Sequence, residues 1–137
     1  MAFYEWTERL SVGIPSIDRQ HKTLIGYINT FAEAAQENNG SSAVVIGFVL
    51  NNLVSYTKMH FIYEEMLFDR YGYQEEKEHK MHHRKLAVQV EEYYARYKSG
   101  DSGFSEDLLS FLMGWLNYHI LVDDVAYSGF LSSQGVT

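Results

Sequence analysis

His60 and Glu64 stand four residues apart, and so do His79 and His83. On a helix this spacing puts both side chains on nearly one face, where they can reach one metal ion or two adjacent ones. Two more histidines, His21 and His119, lie on other stretches of the chain, and His119 is followed by Asp123 and Asp124. The chain has six histidines and no cysteine. Thiolate nucleophiles, disulfides, iron–sulfur clusters and cysteine-ligated zinc are therefore excluded, and metal chemistry must use imidazole and carboxylate. Five imidazoles and two carboxylates are more than one tetrahedral zinc ion takes. They suit two ions of higher coordination number bridged by the carboxylates. Iron fits this donor set, as do zinc, manganese and cobalt.

These residues need helices to position them. The only proline, Pro15, lies near the start, so the rest of the chain is free to be helical. Breakers cluster at Asn38-Asn39-Gly40-Ser41-Ser42, Tyr71-Gly72-Tyr73 and Ser99-Gly100-Asp101-Ser102-Gly103. They divide the chain into segments at about 17–38, 43–71, 75–98 and 105–124. Ser16, Ser42 and Ser105 are expected caps, with Phe104 and Leu109 as a hydrophobic staple. Within each segment, spacings of four and three trace one stripe. The stripes are Ile17, His21, Leu24, Ile28, Phe31, Ala35; then Ile46, Leu50, Leu53, Thr57, His60, Glu64, Leu67, Tyr71; then His79, His83, Leu86, Val90, Tyr93, Tyr97; and last Leu108, Leu112, Trp115, His119, Val122, Ala126. Every apolar seam carries at least one histidine. A seam histidine is costly unless its nitrogens are satisfied, and one shared metal centre satisfies all of them more simply than five separate arrangements. His82 falls off the seams and is expected to face solvent, and Glu65 falls off them too and is not expected to be a ligand. Asp123 fits the period after His119. Asp124 would stand about 140° away on a regular helix, and serves only if the helix widens there into a π-type turn.

Long segments with short connections give an all-α fold: an antiparallel up-down-up-down four-helix bundle with an N-terminal extended arm. One domain over 1–137 is expected, with an irregular tail from Tyr127 to Thr137. There are 11 basic against 18 acidic residues, a net charge of −7. This balance argues against nucleic acid and anionic membrane as partners. No signal peptide or stretch long enough for membrane insertion is evident, so a cytoplasmic protein is expected. Ferritin-like di-iron oxidases need two Glu-x-x-His pairs, whereas only Glu76-x-x-His79 occurs, with Glu76 off the seam.

His21, His60-Phe61-Ile62-Tyr63-Glu64, His79-x-x-x-His83 and His119-Ile120-Leu121-Val122-Asp123-Asp124 together resemble the hemerythrins, above all their bacterial single-domain form. Val12-Gly13-Ile14, Ile17-Asp18-x-Gln20-His21, Glu64-Glu65-Met66, Gly72-Tyr73 and Trp115-Leu116 extend the resemblance over nearly the whole chain. It implies two iron ions per chain. His79, His83 and His119 would hold one, and His21 and His60 the other. Glu64, Asp124 and an oxo or hydroxo ligand would bridge them, which selects Asp124 over Asp123. It also implies reversible binding of O2 at the open position of the second iron, for oxygen transport, storage or delivery, without enzymatic turnover. Leu24, Leu53, Phe61, Trp115, Leu116 and Ile120 are the apolar residues expected around the O2 pocket. The alternatives on the same ligands are an O2 or redox sensor and a di-iron oxidase, peroxidase or nitric-oxide-handling enzyme. A monomer is expected, with an O2-consuming enzyme as a possible receiver.

Overall fold

The computed structural model describes residues 4–36, 42–101 and 103–137, without the side chains of 42–44. Its helices are α1 (Pro15–Gln36), α2 (Ser42–Tyr71), α3 (Glu76–Lys98), α4 (Phe104–Tyr118) and α5 (Val125–Ser133). Helix α1 packs on α2, α2 on α3 and α3 on α4, and α4 closes back on α1. The result is the expected all-α four-helix bundle. No helix among the described residues is long and apolar enough to cross a membrane.

Local chemistry accounts for the helix ends. Pro15 opens α1, where its missing N–H costs nothing. Ser16 is thus inside the helix rather than at its cap. Ile14 supplies the first carbonyl, to Ile17 N at 3.1 Å and Asp18 N at 2.9 Å. Gly72 and Gly100 adopt φ of +70° and +79°, the left-handed turn that stops α2 and α3. Helix α4 begins one residue earlier than its serine suggests. Gly103 stands at the cap with no side-chain bond, so Ser105 does not cap and Phe104 is a buried first-turn residue. Phe104 packs against Phe31 and Tyr97. The expected turn at 38–41 and the capping side chain of Ser42 lie outside the described residues.

The arm is fixed by polar contacts. Asn29 exchanges two hydrogen bonds with the backbone of Tyr4, at 2.7 and 2.8 Å. The Tyr4 hydroxyl donates to Asn117, tying the arm to α4. Asp18 accepts from Val12 N at 2.9 Å and from the Ser11 hydroxyl.

His119–Asp124 is a π turn, the widening that a role for Asp124 requires. Beyond it the C-terminal part corrects two expectations. The turn absorbs one extra residue and rotates everything after it. Val122 and Ala126, expected on the seam, are therefore exposed, Val122 by 47%. The inward face continues instead through Asp124, Tyr127 and Leu131, all fully buried. Their spacing carries the chain on as α5 where an irregular tail was expected. Tyr127 packs on Phe68 and Tyr73 with ring centroids 5.3 and 6.4 Å apart.

If α5 is part of the core, Leu131→Ala should cost about 2–5 kcal/mol in denaturant unfolding of the metal-free protein. A loss below about 0.5 kcal/mol, typical of surface positions, would show that the segment is peripheral.

Candidate metal centre

Five imidazoles and two carboxylates meet in the middle of the bundle. His21 comes from α1, His60 and Glu64 from α2, His79 and His83 from α3, and His119 and Asp124 from the π turn. All seven are buried. Glu64 Oε1 lies 2.7 Å from His60 Nε2, 3.2 Å from His119 Nε2 and 3.7 Å from His83 Nε2. Its other oxygen is 3.2 Å from His79 Nε2. Asp124 Oδ2 lies 2.7 Å from His21 Nε2 and 3.1 Å from His119 Nε2, and Oδ1 lies 3.4 Å from His79 Nε2. Two groupings emerge whose donor atoms lie within 4.8 Å of one another: His21, His60, His119 and Asp124; and Glu64, His79, His83 and His119.

A metal is the simplest occupant for such a space. The Nε2 atoms of His21, His60, His79 and His83, Glu64 Oε2 and both Asp124 oxygens are buried with no hydrogen-bond partner. Several sit within 3.5 Å of an opposite group, yet the angles do not make hydrogen bonds. Their lone pairs converge on common points instead of on each other. Buried polar atoms are rarely left this way unless an ion belongs between them.

Outer partners set the imidazole orientations. His60 Nδ1 donates to Gln20 Oε1 at 2.7 Å, and His83 Nδ1 donates to Glu65 Oε2 at 3.0 Å. Each bond leaves Nε2 as a lone-pair donor toward the centre. Glu65 is therefore off the centre, as expected, but engaged with a histidine that faces it. His82 is a further correction: it is only 33% exposed and lies 3.1 Å from Asp123 Oδ1. Asp123 Oδ2 is in turn 3.8 Å from His119 Nδ1. The roles of Gln20, Glu65 and Asp123 escape periodicity, because each sits beside a seam and acts only through a ring on another helix or one turn away.

Aromatic walls enclose the α3–α4 side. Phe61 stacks on His83 at 3.8 Å, with the rings 8° from parallel, and Trp115 stacks on His119 at 5.1 Å. Leu24, Leu53, Leu116 and Ile120 are buried in the same core, whereas Trp115 is half-buried. Outside, a cleft of about 170 Å³ runs past His79, His82 and Asp123 between Tyr73 and Tyr118.

Without metal the charges conflict. Burial holds His83 down to about pKa 2 despite the nearby Glu64. Burial, reinforced by His60, also keeps His21 well below its ordinary value. Burial opposes ionisation of Glu64, but His60 and His119 outweigh it and hold the carboxyl well below the usual range. His119 is likewise pushed down by burial, yet Asp124 and Glu64 outweigh this and raise it well above normal. Asp124 is raised well above normal by burial and by Glu64.

Comparison with known proteins bears on this arrangement. Residues 12–128 match the family described as the hemerythrin HHE cation binding domain. A bacteriohemerythrin of Pseudomonas paraeruginosa is 37% identical over 93% of this chain and 80% of its own length. One from Methylococcus capsulatus is 31% identical over 97% of this chain and 100% of its own. A crystal structure of wild-type hemerythrin superposes with a TM-score of 0.88 at 30% identity, covering 96% of this chain and 99% of the other.

The metal-free protein should lose stability as pH falls below about 6. Below that value unfolded His21 and His83 take up protons that the folded protein refuses, and depressed folded pKa values make stability fall with pH. His119, raised, opposes this trend near and above about pH 6.5, where only the folded residue keeps its proton, and adds little slope below about pH 6. Asp124 pulls the other way with one proton against two. Thermal unfolding at pH 6, 5.5 and 5 should show a falling midpoint, and a flat or rising one over that range would contradict these environments.

Proposed function

The chain belongs to the hemerythrin family, and from that premise we propose that it binds O2 reversibly at a non-haem di-iron centre, for oxygen transport, storage or delivery. In this reading His79, His83 and His119 hold one iron, His21 and His60 the other, and Glu64 and Asp124 bridge them. The observation that carries it is the reach of the carboxylates. Glu64 lies 2.7 Å from His60 on one side and 3.2 Å from His79 on the other. Asp124 lies 2.7 Å from His21 and 3.4 Å from His79. Each carboxylate thus touches imidazoles of both sets, as a bridging ligand must.

When bound, the iron pair supplies the electrons that hold O2 and takes them back on release. The chain's own residues set the conditions. Two imidazoles on one side against three on the other leave a position for a small ligand. Gln20 and Glu65 keep the His60 and His83 rings turned inward. Leu24, Phe61, Trp115, Leu116 and Ile120 present apolar surface around the centre, which keeps water and its protons away from bound O2. Phe61 and Trp115 do so directly, by covering the His83 and His119 rings.

The test is iron analysis with visible spectroscopy on protein reduced without air and then exposed to O2. About two irons per chain are expected, with an absorption band that rises on oxygenation and fades when O2 is removed. Immediate irreversible oxidation would contradict carriage and point to a di-iron enzyme or redox sensor. A second outcome concerns the pocket. Leu116→Asn should speed conversion to the oxidised, O2-inert form by admitting water, and an unchanged autoxidation rate would remove Leu116 from the pocket.

A further inference from the structure

Tyr127 is completely buried, and its phenol oxygen has no hydrogen-bond partner. Because of the π turn it points into the bundle from the first turn of α5, three residues beyond Asp124. Its ring lies 5.3 Å from Phe68 and 5.4 Å from the His79 ring. The His79 nitrogen that faces the centre is itself 3.2 Å from Glu64 Oε2. That oxygen is an acceptor without a partner in the same closed space. A lone donor and a lone acceptor are therefore sealed in together. A phenol carries its proton at neutral pH, so this hydroxyl is a donor.

For the metal-free fold this hydroxyl is a liability. Phenylalanine would fill the same volume without burying an unsatisfied polar atom. The hydroxyl makes sense when Glu64 is held on metal. We propose that Tyr127 is a positioning residue for the metal centre, its O–H donating a hydrogen bond to the Glu64 carboxylate in the iron-loaded protein. The inference rests on the di-iron reading above. A carboxylate that accepts this bond gives less electron density to the metal. The bond therefore favours the reduced iron pair, the state that accepts O2, and also holds the carboxylate in one orientation.

The experiment compares wild type with Tyr127→Phe in metal-free and iron-loaded forms. Three readouts are taken: unfolding of the metal-free protein, iron content, and midpoint potential of the loaded protein. The variant should be at least as stable as wild type without metal, because an unsatisfied hydroxyl has gone. It should hold the same iron. Its midpoint potential should fall and its autoxidation quicken about threefold to tenfold, the scale of one ordinary hydrogen bond. An unchanged potential at full iron content would reduce Tyr127 to packing and overturn the proposal. A metal-free variant that is less stable or fails to fold would overturn it too, since the hydroxyl would then serve the fold itself. If wild type takes up no iron, the di-iron reading fails and the proposal falls with it. A lowered potential in the variant alone cannot arise that way.

Discussion

Seven ionisable or polar side chains sit in the dry middle of this bundle, and no pairing among themselves satisfies them all. That constraint organises the rest of the molecule. Burial drives His21 and His83 toward neutrality and the carboxylates toward protonation, yet Glu64 and His119 are held charged by one another and by their neighbours. The metal-free centre is thus an electrostatic compromise. Cations placed among the lone pairs would resolve it, because each carboxylate and each Nε2 would gain a partner at once. Binding energy gained there is folding energy for the bundle, since no such cluster exists in the unfolded chain.

Getting seven side chains to one place requires all four bundle helices and one departure from helical regularity. The π turn at His119–Asp124 brings Asp124, five residues after His119, to the same buried centre. Its effect extends beyond Asp124. The extra residue re-phases the chain, so that Val122 turns outward and Tyr127 and Leu131 turn inward. Helix α5 is a consequence of the same turn, and Tyr127 reaches the centre only because of it. Local deviation, the placement of Asp124 and the C-terminal helix are one structural event.

Much of this was legible in the sequence. Alternating spacings of four and three placed His21, His60, Glu64, His79, His83 and His119 on apolar seams, and all are buried. The bundle followed from segment lengths and breakers. Asp124 was not legible from period, because a uniform helix favours Asp123, and only the resemblance to a family pointed to it. The tail was misread for the same reason: a fixed period carried across the π turn lands on Val122 and Ala126. Helix starts slipped where backbone geometry replaced side-chain capping, as at Pro15 and Gly103. Gln20, Glu65 and the His82–Asp123 pair depend on contacts between distant segments, which spacing within one helix does not encode.

The central claim is that this cluster holds two metal ions between shared carboxylates. Anomalous diffraction at the iron edge from crystals of the iron-loaded protein tests it directly. Two peaks are expected inside the cluster, about 3.5–4 Å apart as in other paired-metal sites, with Glu64 and Asp124 each contacting both. A single peak, or iron located outside these seven residues, would contradict the account.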